Sequence, residues 1–135
     1  MFGELSKIPW RRSDSNHVAA WVNGKYLYMH RIVNKTPDGV ETDHANRNPF
    51  DNRRRNLRDA TYAQNRGNME KFKGTYHSSF KGISWHIRNK KWIARIRVQD
   101  KLLHLGYFTV EADAAAAYDK AALVHFGEYA KLNFA

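Results

Sequence analysis

The spacing of apolar positions changes character twice along the chain. From His17 to Val33, "HVAAWVNGKYLYMHRIV" places two aromatic-rich arms around Asn23-Gly24. That dipeptide is a two-residue turn signal, so the segment predicts a β-hairpin. Pro37-Asp38-Gly39 marks a second turn, and Val40 leads a short extended piece into Asp43-His44. Large apolar residues then nearly vanish. "ETDHANRNPFDNRRRNLRDATYAQNRGN", from Glu41 to Asn68, is too polar to build much core. Within it, "NLRDATYAQN" predicts a brief strand followed by a helix start. Thr61 and Gln64 have capping-box spacing, which puts Asn65 near the first helical turn. Gly67 and Gly74 keep that helix short.

From Phe80 onward the rhythm becomes regular. "FKGISWHI", "KKWIARIRV" and "LLHLGYF" are three β-rich runs, with turns at Asn89-Lys90 and Gln99-Asp100-Lys101. An alanine-rich helix is predicted from about Glu111 to Phe126, with Gly127 placed to end it. Its apolar positions are read as Ala112, Ala115, Ala116, Leu123 and Phe126, and its small side chains suit close packing on a sheet. The chain thus divides into residues 1–68, a linker at 69–79, and residues 80–135.

In "KKWIARIRV", Trp92, Ala94, Ile96 and Val98 share one strand face, while Arg95 and Arg97 point the other way. Neighbouring strands would add Ser84, His86, Arg88 and His104 to the Arg face. A solvated outward face of a half-buried sheet also alternates in this way. Outward faces usually mix signs, however. Lys81 to Lys101 holds seven Lys or Arg residues and one acid, Asp100. Overall charge points the same way: 23 Lys and Arg against 13 Asp and Glu give a net charge of +10 and a pI near 10. So basic a chain suggests a polyanionic partner, most simply nucleic acid. A sheet can enter the major groove, where Arg bonds guanine edges in a bidentate way.

The segment from Phe80 to Ala135 resembles the APETALA/ethylene-response-factor type of DNA-binding domain. The features that carry the resemblance are Lys81-Gly82-Ile83, Ala94-Arg95-Ile96-Arg97, Leu105-Gly106-Tyr107-Phe108, Ala114 to Asp119 and Leu132-Asn133-Phe134. The resemblance implies a three-stranded sheet in the major groove, backed by one helix. By position it puts Lys81, Ser84, Arg95, Arg97 and His104 on or near the DNA side. The first hairpin turn differs in length from the plant form, which bears on His86 and Arg88.

The polar stretch contains groups suited to phosphodiester chemistry. Asn56 follows His44 by twelve residues and Asn65 follows Asn56 by nine, and a hairpin crossed by a helix would gather all three with Asp43. A hard cation such as Mg²⁺ needs only one or two protein oxygens, which Asp43 and Asn65 would supply. His44 has the ordinary pKa of a general base. "MHRIV", "DHANRN", "DNRRRNLR" and "ATYAQN" together resemble the HNH endonucleases of the phage and intron-encoded homing type. That resemblance implies His44 as base, Asp43 and Asn65 as ligands of Mg²⁺ or Mn²⁺, and Asn56 as a brace for the loop. It also marks His30, which is equally readable as a packed hairpin histidine. Asn65 stands where the family name has its last His, which weakens any expectation of zinc. Arg53, Arg54 and Arg55 read as phosphate contacts or as a solvated basic turn.

The expected fold is α+β: a small ββα-metal module, then a three-stranded antiparallel sheet on one helix. The expected function is a site-directed, nicking DNA endonuclease with double-stranded DNA as partner. It would be a monomer or weak dimer, with no membrane and no small-molecule cofactor. Two alternatives stay open: a non-catalytic DNA-binding regulator with a degenerate nuclease half, and an RNA-binding module that stacks bases on exposed aromatics. No apolar run reaches the roughly 18 residues of a membrane span, and there are no cysteines for disulfides or thiolate zinc sites. The setting expected for such a nuclease is the cytoplasm of a bacterial, phage-infected host.

Overall fold

The computed structural model describes residues 2–71 and 77–134, so part of the expected linker, residues 72–76, lies outside the described residues. The chain forms two compact units, Met1–Tyr62 and Ala63–Ala135.

The first unit starts with one helical turn, α1 (Phe2–Leu5). It continues with a three-stranded antiparallel sheet of β1 (Arg11–Arg12), β2 (Val18–Val22) and β3 (Lys25–Tyr28) in the order β1-β2-β3. The expected hairpin is β2–β3. Asn23 at φ 49 and Gly24 at φ 75 take the positive angles such a tight turn requires. Its second arm is shorter than expected, because Met29–Asn34 is a helix, α2, and not strand. Burial gives the reason. His30 and Asn34, four residues apart, are its buried pair, and that period belongs to a helix. Lys35 closes α2 in the left-handed conformation, its N–H donating to the carbonyls of Arg31 and Ile32. Asn34 Nδ2 donates to Asp59 Oδ1 at 2.7 Å, tying α2 to the next hairpin. That hairpin pairs β4 (Glu41–His44) with β5 (Leu57–Ala60), and Arg54–Asn56 forms one 3₁₀ turn before β5. The short helix α3 (Tyr62–Asn68) follows, as the sequence predicts.

The second unit is an antiparallel meander, β6 (Ile83–His86), β7 (Lys91–Val98) and β8 (Lys101–Phe108), covered by α4 (Glu111–Phe126). Its core unites Ile83, Ala94 and Ile96 from the sheet with Ala114, Ala115, Tyr118, Ala122 and Phe126 from α4. Ala115 and Phe126 are buried as expected, but the rest of the helix face differs. Ala112, Ala116 and Leu123 face outward, and the buried stripe runs through Ala114, Tyr118, Ala122 and Phe126 at intervals of four. A four-alanine run cannot set its own rotational phase, so the large side chains at Tyr118 and Phe126 set it. Gly127 ends the helix at φ 54, its N–H on the Leu123 carbonyl.

Two devices lock this unit. Buried Asp119 accepts the backbone N–H of Asn133 at 2.7 Å and of Phe134 at 2.9 Å, so the tail folds back along α4. Asn133 in turn accepts the Lys81 N–H at 2.8 Å and donates to the Lys81 carbonyl at 3.1 Å. The end of α3 belongs to the same packing. The Gly67 carbonyl accepts the Lys131 N–H at 3.0 Å, and Gly67 lies so close beneath the Phe126 ring that a Cβ would reach 2.5 Å from it. This explains why the boundary between units falls before residue 68.

Candidate nucleic-acid interface

Strand alternation gives the β6–β8 sheet two unlike faces. Trp92, Ala94, Ile96 and Val98 of β7 all pack toward α4. Arg95 and Arg97 project from the opposite face and are exposed. On β6, Ser84 and His86 share that outward face, because Ser84 pairs with Ile93 and His86 with Lys91. The Arg95 guanidinium donates from Nη2 to Ser84 Oγ at 3.2 Å, and Arg97 Nη1 to the Asp100 carbonyl at 3.3 Å. Both contacts are exposed, so each guanidinium keeps donors toward solvent. Arg88 sits in the β6–β7 turn, exposed and beyond the strand ends.

An irregularity in β8 shapes the rest of the face. Ala94 pairs with Gly106 but Arg95 pairs with His104, so β8 holds one additional residue there, a β-bulge. Gly106 takes φ 144 at that step. Leu103, Leu105 and Phe108 can therefore all pack on the core, while His104 and Tyr107 face outward. Tyr107 lies edge-on to His86, with ring centroids 5.6 Å apart, and 4.8 Å from His104. Sequence reasoning missed Tyr107, because strict alternation without the bulge does not place it beside His104. Lys81 lies at the edge of this region, and its ammonium donates to the carbonyls of Gly67, at 2.9 Å, and of Met69.

The residues read from the polar stretch are placed as follows. Asp43 and His44 end β4, both buried. Antiparallel register sets Asp43 opposite Arg58, whose Nε donates to Asp43 Oδ2 at 2.7 Å. His44 Nε2 lies 3.0 Å from Asn52 Oδ1. Asn56 holds the loop. Its Oδ1 accepts the Asn46 N–H at 3.0 Å, and its Nδ2 donates to Asn46 Oδ1 at 2.9 Å and to the Asp51 carbonyl at 2.8 Å. Arg53 forms a two-point pair with Asp51, which holds the Asp51 carboxyl well below the usual range. Arg54 donates to the Leu57 carbonyl, and Arg55 is exposed. Asn65 belongs to the second unit. Asn52 and Arg58 were not singled out from sequence, although the β4–β5 pairing implies Arg58 once its register is known.

The Asp43 carboxylate is almost fully buried and carries a guanidinium on Oδ2, which an ion would have to displace. Among the described residues, no group of three or more His, Cys, Asp and Glu is arranged to hold a metal ion.

A histidine cluster lies beside this strand end. The rings of His17 and His30 are 5.0 Å apart, His30 and His44 5.2 Å, and His17 and His44 5.9 Å. Burial, with His17 and His44 nearby, depresses His30 to about 3, and burial also lowers His17. His30 Nδ1 is buried and finds no partner among the described residues. The unfolded chain takes up these protons near pH 6.5 and the folded unit resists them, so stability falls as pH drops from about 6.5 toward 3. Denaturant unfolding followed by circular dichroism at pH 7 and pH 5 should give a lower midpoint at pH 5. His30→Gln should flatten that difference, because one such proton contributes up to about 1.4 kcal/mol per pH unit in the window.

No protein-family model matches the chain. Its similar proteins are plant transcription factors of the APETALA/ethylene-response-factor type, matched over the C-terminal region. Dehydration-responsive element-binding protein 2E of Arabidopsis thaliana is 42% identical over 65 residues, covering 41% of this chain and 26% of that protein. Ethylene-responsive transcription factor WRI1 of the same plant is 44% identical over 59 residues, covering 42% of this chain and 14% of that protein. Ethylene-responsive transcription factor ERF025 is 48% identical over 60 residues, covering 43% and 25%. The chain therefore spans about a quarter or less of the length of these relatives.

Those names overturn the endonuclease expectation. The relatives are transcription factors and none of the three is named as a nuclease, so the catalytic reading gives way to the DNA-binding regulator. The bacterial, phage-infected setting falls with it, since these relatives come from a plant. What stands is an α+β chain whose C-terminal sheet and helix follow the transcription-factor pattern.

Proposed function

We propose that the chain is a non-catalytic regulator that binds duplex DNA through the outward face of β6–β8. The observation that carries this is the exposure of Arg95 and Arg97 on one face of a strand whose other face packs into the core under α4. The sheet is thereby rigid, and its guanidinium forks have the geometry to read guanine edges in the major groove. Ser84, His86, His104 and Tyr107 extend the same surface, while Arg88 sits in position to meet a flanking phosphate. The relatives' printed names, element-binding protein and transcription factor, support the assignment.

Under this reading the stretch from β4 to α3 retains the chain order of an HNH-type module without its chemistry. The order β4, β5, α3 with Asp43-His44 at the end of β4 fits that module. Arg58 on the Asp43 carboxylate accounts for a degenerate copy that keeps its fold and does not need a metal.

The test is selection of binding sites from a random duplex library by the full chain, followed by affinity measurement on the enriched sequence across salt concentrations. Enrichment of one sequence, with affinity falling steeply as salt rises, supports the reading, since each phosphate neutralised contributes a slope of about 0.9. Uniform recovery of all sequences would count against it.

A further inference from the structure

The first unit carries an aromatic row that its hydrogen bonding and core packing do not explain. Trp21 on β2 and Tyr26 on β3 are direct cross-strand partners with ring centroids 6.0 Å apart. Tyr28 follows on the same face, 5.2 Å from Tyr26. His30 stands 5.4 Å beyond Tyr28, and His44 a further 5.2 Å. Burial grades along the row: Trp21 is 66% exposed and Tyr26 46%, whereas His30 and His44 are buried. The outer end is therefore a pair of open ring faces on a supported strand pair, and the inner end is fixed.

One edge of the row carries a cation. Arg11 of the edge strand β1 pairs with Ala19 and so lies on the aromatic face. Its neighbour Arg12 pairs with Val18 and so belongs to the other face, where its guanidinium lies over the Phe50 ring, 5.6 Å from the centroid. The unit has 11 Lys and Arg against 7 Asp and Glu. Open rings with Arg11 on the same face, in a unit with an excess of positive charge, complement a strand of unpaired bases on a polyanionic backbone. An apolar protein partner would find less to match in that charge.

We propose that this row is a second nucleic-acid site, which takes a single strand by stacking bases on Trp21 and Tyr26 and holding phosphate with Arg11. The site is separate from the β6–β8 face and does not rest on the duplex-binding reading. Base faces and phosphates are common to DNA and RNA, and no group in the row selects for the 2′-hydroxyl, so both chemistries qualify.

The experiment measures fluorescence anisotropy of labelled oligothymidylate and oligouridylate with the full chain at low salt. Wild type should bind at least one of the two. Trp21→Ala should weaken that binding about tenfold, as expected for the loss of one stacked base, while Trp21→Phe retains most of it. Because Trp21 is exposed, its removal leaves the fold intact, which circular dichroism checks. The same Trp21→Ala chain should bind the selected duplex as wild type does, and Arg95→Ala with Arg97→Ala should leave the oligonucleotide affinity intact. Failure of duplex binding and failure of strand binding are thus read separately. Absence of wild-type binding to both oligonucleotides overturns the proposal. So does unchanged binding in Trp21→Ala and Tyr26→Ala.

Discussion

Replacing Arg95 and Arg97 together with alanine should abolish sequence-selective duplex binding while leaving the fold unchanged. Both side chains are exposed and neither belongs to the core cluster, so their removal opens no cavity. Each bidentate contact to a guanine contributes roughly 1–3 kcal/mol of discrimination, so one loss should lower affinity about 5- to 150-fold. The two positions lie two residues apart on one strand and address the same groove. The double variant should therefore fall to the level of charge-driven, non-selective binding. Arg95→Lys and Arg97→Lys separate charge from geometry. Lysine keeps the positive charge but loses the planar fork, so those variants should retain the salt dependence and lose sequence preference. Anisotropy titrations on the selected duplex and on a scrambled duplex measure both quantities.

Gly82→Ala should unfold the second unit. Gly82 sits just ahead of β6 at φ +79, a conformation that side-chain-bearing residues rarely adopt. A Cβ there would press into the Tyr118 ring and stand 2.6 Å from the Arg95 carbonyl oxygen. Neither obstacle yields cheaply. Tyr118 is a buried core side chain, and the Gly82 carbonyl accepts the Arg95 N–H at 2.9 Å, so the backbone is held in place. Backbone strain of about 1–2 kcal/mol and overpacking of about 1–3 kcal/mol together reach a large part of a small domain's stability. Thermal unfolding should show the second unit's transition lowered strongly or lost, and duplex binding should go with it. An unchanged transition would mean that the helix shifts freely over β6, which contradicts the close packing of Tyr118.

The second unit was largely legible in the sequence, because its elements announce themselves by period. β7 alternates from Ala94 to Val98, both turns are short, and the bounds of α4 are marked by acidic residues at its start and Gly127 at its end. Two details were not legible. The rotation of α4 depends on which residues of an alanine-rich run meet the sheet, and alanine gives no phase information. The bulge in β8 depends on fitting Leu103, Leu105 and Phe108 into one core, which is a packing result and not a local pattern.

Ahead of that, local signals found the β2–β3 turn and the β4–β5 hairpin of the first unit, and the helix α3 that follows them. They failed at Met29–Asn34, where apolar residues after a strand look like more strand until burial of His30 and Asn34 reveals the helical period. The polar stretch was harder still. Its spacing of Asp, His and Asn matched a metal-dependent nuclease. In the folded chain, however, Asp43 faces Arg58, Asn56 braces the loop, and Asn46 and Asn48 cap successive turns by accepting the N–H groups of Asn48 and Phe50. Side-chain amides that satisfy loop backbone are chemically the same groups that ligate a cation, so sequence could not separate the two uses.

On the proposed reading, the Arg face of β6–β8 lies in the major groove of a selected duplex. Dimethyl sulfate footprinting of that duplex with the full chain tests it most directly, because the reagent methylates guanine N7, which lies in the major groove. Protection of guanine N7 inside the selected site by wild type, absent with the Arg95→Ala, Arg97→Ala chain, is the predicted result. Full guanine N7 reactivity on a duplex that the protein demonstrably binds would contradict it.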